Sequence, residues 1–551
     1  MAPYSAIDRR YVMLVRDSEE TGAVEAAEFS EQSDLDEQQV VPSHTPLSGS
    51  FEDLSRPLAT YPSAAQGTTT VFSARATDLS PTGVKERKKR SQFNDEARKE
   101  TSDTRSVGAC LRCRNQRIRC SPNPLNSGAP CVSCAKVSKT NKKTIHRVHC
   151  IRYKFTSMII YRGGGLNITK RFSHNQVVDV GEYADNNIVA IEMAQGLCQT
   201  PVRLQVRRFV PRQDDVLKRR YIGEDGVVKE QDLEPFCLAD IEKTAKEFKR
   251  YINDNALDGL AEAVKDSDDM VKMTFHMIAE ECRSDLKGVK GKKPSKQARC
   301  ESEQKEYLRQ VVRLWFAIRH GIGSAWLCGS NTLGMQPVYS PNYSLDGKVA
   351  VPRMIVAQFD SIRHERIYKE LTASVLKTSE KYLKSWNKDA WFTVYLATFL
   401  LLHQTSCASK DRHRWANENK GSTPMETRYG SIDDPLTGFV EKIQDGAVML
   451  LTHWQYFKRC DLLNADWNNP STSTLQYLKL YQFQHLKNTV AMLKLKSMSG
   501  TIPKTPADGC WEDELFWISH MFESAPSKDK ETNWDPPESF TRAKPSVGRN
   551  D

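Results

Sequence analysis

The 551-residue chain lacks any hydrophobic run long enough to cross a bilayer. Its longest apolar stretch, Ala390 to Leu402, falls short of the ~20 residues that a spanning helix needs and reads as a buried helix. Near the N-terminus only Tyr11 to Val15 is apolar, too short for the core of a secretory signal. A soluble intracellular protein with reduced thiols is therefore expected. HExxH, GxSxG and P-loop patterns are also absent, so no enzyme is expected. His403, beside the apolar run, reads as a helix-end histidine rather than a catalyst. The most pointed absence is local: from Thr104 to Val178 there is no Asp or Glu, against fifteen Lys and Arg. The net charge of the whole chain is only +10, so the remainder is acidic on balance. A stretch this one-sided repels itself unless counter-charge is supplied, which implies a polyanionic partner.

Within that basic stretch lie six of the fourteen cysteines, Cys110, Cys113, Cys120, Cys131, Cys134 and Cys150. They form two C-x2-C pairs, each followed by a further cysteine. A C-x2-C turn lets two thiolates reach one tetrahedral ion at about 2.3 Å each, so two such corners within some forty residues read as zinc ligation. A Ser/Pro/Lys-rich stretch offers no core in which these thiols would otherwise be buried. The other eight cysteines are scattered singly and read as small buried hydrophobes.

Arg114, Asn115, Gln116, Arg117, Ile118 and Arg119 join Cys113 to Cys120 and are expected to form a short helix. Ile118 would face the cysteines and Gln116 and Arg117 would face outward. Such a helix fits the major groove, where Arg pairs with guanine and Gln with adenine or a bridging water. Arg114 and Arg119 then suit phosphates.

These residues resemble the fungal binuclear zinc cluster family of transcription factors. The resemblance is carried by the ACxxC start, the basic arm ending Ile118-Arg119-Cys120, the Pro130-Cys131 turn, the second CxxC, and Cys150 followed by Arg152-Tyr153-Lys154. It implies that six thiolates hold two zinc ions, with Cys110 and Cys131 bridging both. It also implies that the arm reads a GC-rich, CGG-type triplet through Arg117. Two departures stand out. Gln116 occupies a position that is usually basic in the family, and the last gap, longer than usual, contains His146 and His149, either of which is a possible substitute for Cys150. Cys150 is retained as the sixth ligand because the sequence after it matches the family.

The fold class expected is a small metal-stabilised zinc cluster domain plus a mainly α-helical C-terminal regulatory region, preceded by a disordered N-terminus. Residues 1–105 are rich in Ser, Pro and acidic residues and are expected to be disordered. Acidic-hydrophobic mixing around Val24, Phe29 and Leu35 is compatible with an activation segment or a solvated tail. Lys85, Arg87, Lys88, Lys89 and Arg90 form a compact basic group at 85–90 that reads as a nuclear import signal. Residues 106–155 are expected to be the cluster, 156–232 a mixed connecting segment, 233–525 the helical domain and 526–551 a flexible tail. Apolar spacings of three and four mark helices through Leu238, Ile241, Ala245, Phe248 and Ile252, and through Leu308, Val311, Val312, Trp315 and Ile318. Asp266 or Ser267 is expected to cap a helix running toward Cys282, and Lys287 to Arg299 to form a mobile basic loop. Gly163 to Gly165 interrupt the sequence after the cluster and no heptads follow it, so no coiled-coil dimer is announced and the oligomeric state stays open. The expected function is thus a nuclear, sequence-specific regulator of RNA polymerase II transcription. Its partners would be double-stranded DNA, an import receptor and co-regulators, without a membrane. The alternative is a zinc-dependent protein-interaction module such as a ubiquitin-ligase adaptor.

Overall fold

The computed structural model describes residues 94–522, apart from 126–128, 137–149, 153, 163–165, 167, 173–175, 177, 285–294, 386, 419–438, 470–473 and 501–512. The basic group at 85–90, His146, His149, Gly163 to Gly165 and the tail 526–551 lie outside the described residues. The expectation of disorder through residue 105 is corrected from Asp95 onward, because α1 spans Asp95–Val107. Asp95 and Glu96 in its first turn and Arg105 in its last complement the helix dipole. The Thr104 hydroxyl donates to the Cys120 carbonyl at 3.4 Å, a tertiary tether that composition does not reveal.

Two short helices follow in the cysteine segment, α2 (Leu111–Gln116) and α3 (Val132–Ala135). The chain then enters an antiparallel sheet built from β1 (Val189–Ala194), β2 (Val202–Arg208), β5 (Phe236–Leu238), β6 (Trp326–Cys328) and β7 (Val349–Ala350), in the order β5-β2-β1-β6-β7. In β2, Val202, Leu204 and Val206 are buried while Arg203 and Gln205 point to solvent, the period-two pattern of a strand with one wet face. A separate hairpin, β3 (Lys218–Ile222) with β4 (Val228–Asp232), is laced by Glu230 pairing with Lys218 and Arg220. Residues 156–232, expected to connect two domains, therefore supply four strands, and β1 pairs with β6 from within the region expected to be helical. Ile191, Met193, Val202, Leu204 and Val206 share one core with the helices.

The remaining helices are α4 (Ile241–Glu262), α5 (Asp269–Arg283), α6 (Lys296–Arg319), α7 (Arg353–Ile362), α8 (Lys369–Lys384), α9 (Trp391–Glu418), α10 (Phe439–Lys458), α11 (Leu480–Met498) and α12 (Phe516–Phe522). Both apolar stripes expected from the sequence are buried on α4 and α6, except that Leu238 ends β5, because Asp240 caps the helix and starts it at Ile241. The cap of α5 is Asp268, not Asp266 or Ser267; its carboxylate accepts from Met270 N–H at 2.9 Å. Lys296 to Arg299, expected to belong to a loop, form the first turn of α6 behind the Ser295 cap.

α9 packs against α6, α10 and α12. Because it is enclosed, its first half is apolar on every side rather than on one stripe. Trp391, Trp454 and Trp517 surround this junction, each at most 1% exposed. The Trp454 indole and the buried Lys458 ammonium donate to the Met521 carbonyl at 2.9 and 3.1 Å, satisfying the C-terminal end of α12.

One buried charge joins the sheet-bearing half to the helices. Asp360 on α7 pairs with Arg162 and with Arg363, the latter at 3.2 Å, and Arg363 also donates to the His320 carbonyl at 2.7 Å. Burial alone would raise the Asp360 carboxyl, but Arg162 and Arg363 outweigh it and hold the pKa at about 2. Its stabilisation is complete above the unfolded value of about 3.9 and is lost as pH falls toward about 2. Asp360→Asn leaves two arginines without their shared anion and should cost about 3–5 kcal/mol in urea unfolding at neutral pH. The mutant should also show a shallower loss of stability below about pH 4.

Gly446 on α10 marks a close approach: a Cβ there would lie 2.5 Å from the Ile159 carbonyl and 2.9 Å from Met158 Cγ. In an open helix Gly→Ala stabilises by about 1 kcal/mol. Here the sign should reverse, with Gly446→Ala costing about 1–3 kcal/mol and accelerating proteolysis between Cys150 and Ile160.

Candidate metal centre

The two C-x2-C turns fold alike. Cys110 and Cys131 are the N-caps of α2 and α3, with φ and ψ of −61° and 158° in one and −61° and 157° in the other. Each Sγ accepts the N–H of the cysteine three residues on, at 3.4 Å from Cys113 and 3.3 Å from Cys134. A thiolate here replaces the usual Ser or Asp cap oxygen. Cys110 N–H points to Cys120 Sγ at 3.4 Å and Cys131 N–H to Cys150 Sγ at 3.2 Å. The halves are stitched crosswise, Leu111 N–H to the Ile151 carbonyl at 2.9 Å and Val132 N–H to the Ser121 carbonyl at 3.0 Å. The segment is thus a quasi-two-fold pair of helix-capping thiol turns.

The sulfur atoms form two groups, Cys110, Cys113, Cys120 and Cys131 in one and Cys110, Cys131, Cys134 and Cys150 in the other. Within each group all four atoms lie within 4.8 Å of one another, and Cys110 and Cys131 belong to both. Individual separations are 3.6 Å for Cys110–Cys134 and Cys113–Cys131 and 4.0 Å for Cys110–Cys131. A tetrahedron with metal–sulfur bonds of about 2.3 Å has edges of about 3.8 Å. Each group could therefore hold a metal ion. All six thiols are free, and Cys110, Cys113, Cys120 and Cys131 are at most 1% exposed.

Crowding polarises the thiols. Hydrogen bonds with Cys134 and then Cys150 push Cys110 far up, while the contacts with Cys110 and then Cys134 draw Cys150 far down. Sulfur atoms this close together favour any neighbouring positive charge. Arg152 supplies some of it, with Nη2 3.9 Å from Cys120 Sγ. Arg112, 4% exposed, reaches across the turns to the Ser133 carbonyl at 2.9 Å, and the Ser133 hydroxyl donates to the Arg119 carbonyl at 2.9 Å. Neither Arg112 nor Ser133 was singled out by spacing, although both sit beside a ligand-type cysteine.

The arm differs from its expected geometry. α2 starts at Leu111, so it encloses Cys113 and ends at Gln116. Arg117 caps it in the left-handed conformation at φ 54°, and this reversal turns Ile118 outward to 42% exposure rather than toward the sulfurs. Arg114, Arg117 and Arg119 are exposed and Gln116 is half-buried. Arg114 donates to the Ala109 carbonyl at 3.2 Å. Burial pushes the Tyr456 hydroxyl on α10 up, the charge of Arg112 opposes this, and those of Cys110 and Cys134 add to it. Phe155 stands edge-on to His453, with ring centroids 4.8 Å apart.

Among the described residues of the acid-free stretch, Arg162 pairs with Asp360, and Arg171 pairs with Asp215 at 2.9 Å and Glu182 at 2.6 Å. His403, expected at a helix end, is instead in the interior of α9 and 2% exposed.

A family profile described as KpeA transcription factor matches residues 164–520, more than half of the chain and beginning just after the cysteine segment. No curated protein and no solved structure matches significantly. Among the described residues no helix is long and apolar enough to cross a membrane.

Proposed function

The chain belongs to the KpeA transcription factor family, and from that premise we propose that it is a nuclear transcription regulator that reads DNA through a two-zinc, six-cysteine cluster. The observation that carries the zinc reading is the membership of Cys110 and Cys131 in both sulfur groups, since six thiols can complete two tetrahedra only if two of them are shared. Zinc supplies the positive charge that lets six thiolates coexist, and holding it would be most of what folds this segment. Cys110, Cys113, Cys120, Cys131, Cys134 and Cys150 are its proposed ligands.

DNA recognition is assigned to the exposed edge formed by Arg114, Gln116, Arg117 and Arg119. Arg117, lifted from the helix end by its left-handed backbone, is the proposed reader of a guanine in a GC-rich triplet. Arg114 and Arg119 are the proposed phosphate contacts, and Gln116 is placed for an adenine or water-linked contact. The exposure of Arg114, Arg117 and Arg119, in a stretch without Asp or Glu from Thr104 to Val178, supports the DNA reading over a zinc-organised protein-interaction module. Import through Lys85, Arg87, Lys88, Lys89 and Arg90 accompanies this proposal. No catalytic role is proposed.

Native mass spectrometry of the purified chain should find two zinc ions. Cys131→Ala should lose both, because the shared ligand serves each, whereas His149→Ala should retain both. One ion in the wild-type protein would contradict the shared-thiolate reading.

Arg117→Ala should cost about 1–3 kcal/mol on a site selected from random sequence and relax preference at one guanine. Arg119→Ala should weaken cognate and random DNA alike and make the salt dependence shallower by about one phosphate contact. Titrations at several salt concentrations check both. An Arg117→Ala protein with an unchanged cognate-to-random ratio would transfer support to the interaction-module alternative.

A further inference from the structure

Cys407 and His403 lie one turn apart on α9, and Glu514 approaches them from the segment before α12. The His403 ring has Nδ1 3.8 Å from Cys407 Sγ and Nε2 3.4 Å from the Glu514 carboxylate. The histidine is 2% exposed, while Cys407 retains partial exposure. The edge of Phe275 on α5 packs against the imidazole, with centroids 5.0 Å apart. Glu514 is itself held by the Asp268 N–H at 2.5 Å. Arg319 on α6 is the other charged group acting on the thiol and the imidazole. A thiol, an imidazole and a carboxylate thus follow one another in order, the first two on α9 and the third on the turn before α12, which the Asp268 N–H at the start of α5 holds.

We propose that Cys407 is a peroxide-reactive thiol of the regulatory region, with His403 as its proton donor and Glu514 as the residue that positions His403. The electrostatics agree. Burial would raise the Cys407 thiol, but the charges of His403 and Arg319 outweigh it and bring the pKa down to about 7. Burial would likewise lower His403, yet Cys407 and Glu514 hold it at about 9. By contrast, burial pushes Cys237, Cys282 and Cys460 up to about 12. At neutral pH the pair therefore has a large thiolate–imidazolium population, and the thiolate is the nucleophilic form.

The step balances with hydrogen peroxide as the oxidant. Cys407 Sγ attacks one peroxide oxygen, an S–O bond forms as the O–O bond breaks, and sulfur loses two electrons to become a sulfenic acid. The departing oxygen takes a proton from His403 and leaves as water. The product no longer has the thiolate charge opposite His403. Because the His403–Glu514 contact joins α9 to the residues preceding α12 and to the start of α5, oxidation weakens a link among three helices.

The full-length protein tests this by peptide-resolved mass spectrometry after iodoacetamide labelling between about pH 5.5 and 9. Cys407 labelling should rise with an inflection near pH 7. In His403→Gln the inflection should move to that of an ordinary thiol, near 8.5, and the rate at pH 7 should fall roughly tenfold. Glu514→Gln should shift it in the same direction by less. Brief peroxide treatment with dimedone trapping should mark Cys407 well ahead of Cys237 and Cys282. If His403→Gln does not fold, the wild-type profile and Glu514→Gln decide. A wild-type inflection at or above about 8.5, or dimedone labelling no greater at Cys407 than at Cys282, overturns the proposal.

Discussion

Cys110 and Cys131 each serve two sulfur groups at once, and the arrangement of the six cysteines follows from that double use. Both also cap their own helices, so the atoms that close the groups are the atoms that start α2 and α3. Among the described residues of this segment the buried side chains are Cys110, Cys113, Cys120 and Cys131 with Leu111 and Arg112. Six thiolates so close together repel one another unless a cation is shared among them. Hydrophobic burial cannot replace that cation, because the segment has too little apolar surface to bury.

The rest of the chain stands on ordinary packing. One core links the sheet to α4 through α12, and α9 runs through its centre. The two regimes meet at α10, where Phe155 and Met158 pack and where Gly446 lets the Ile159 backbone approach. Arg112 is buried, with its guanidinium on the Ser133 carbonyl, while Arg117 and Arg119 are exposed. In the proposed function the exposed arginines are the ones that meet DNA.

The grouping of the cysteines was legible because it is local: a C-x2-C turn fixes two sulfurs whatever surrounds it. The long helices were legible for a related reason, since their stripes recur within one element. The orientation of the arm was not. The expected helix began at Arg114, whereas Cys110 caps one beginning at Leu111, and that offset turns Ile118 from the sulfurs to the solvent. The sheet was legible only as short β-branched runs such as Val202 to Pro211, because its strands are short and pair across long separations, as Glu192 with Cys328. The charge environment of His403 was equally hidden, since Glu514 is far away in sequence and only folding brings it near. α1 was hidden too, its tether to the Cys120 carbonyl being a tertiary contact.

In the proposed function two zinc ions share the thiolates of Cys110 and Cys131, and X-ray absorption at the zinc edge of the purified full-length protein tests this directly. The spectrum should show four sulfur neighbours per zinc at about 2.3 Å together with a zinc–zinc scattering path. Nitrogen in the first shell, or zinc without a second zinc nearby, would contradict it.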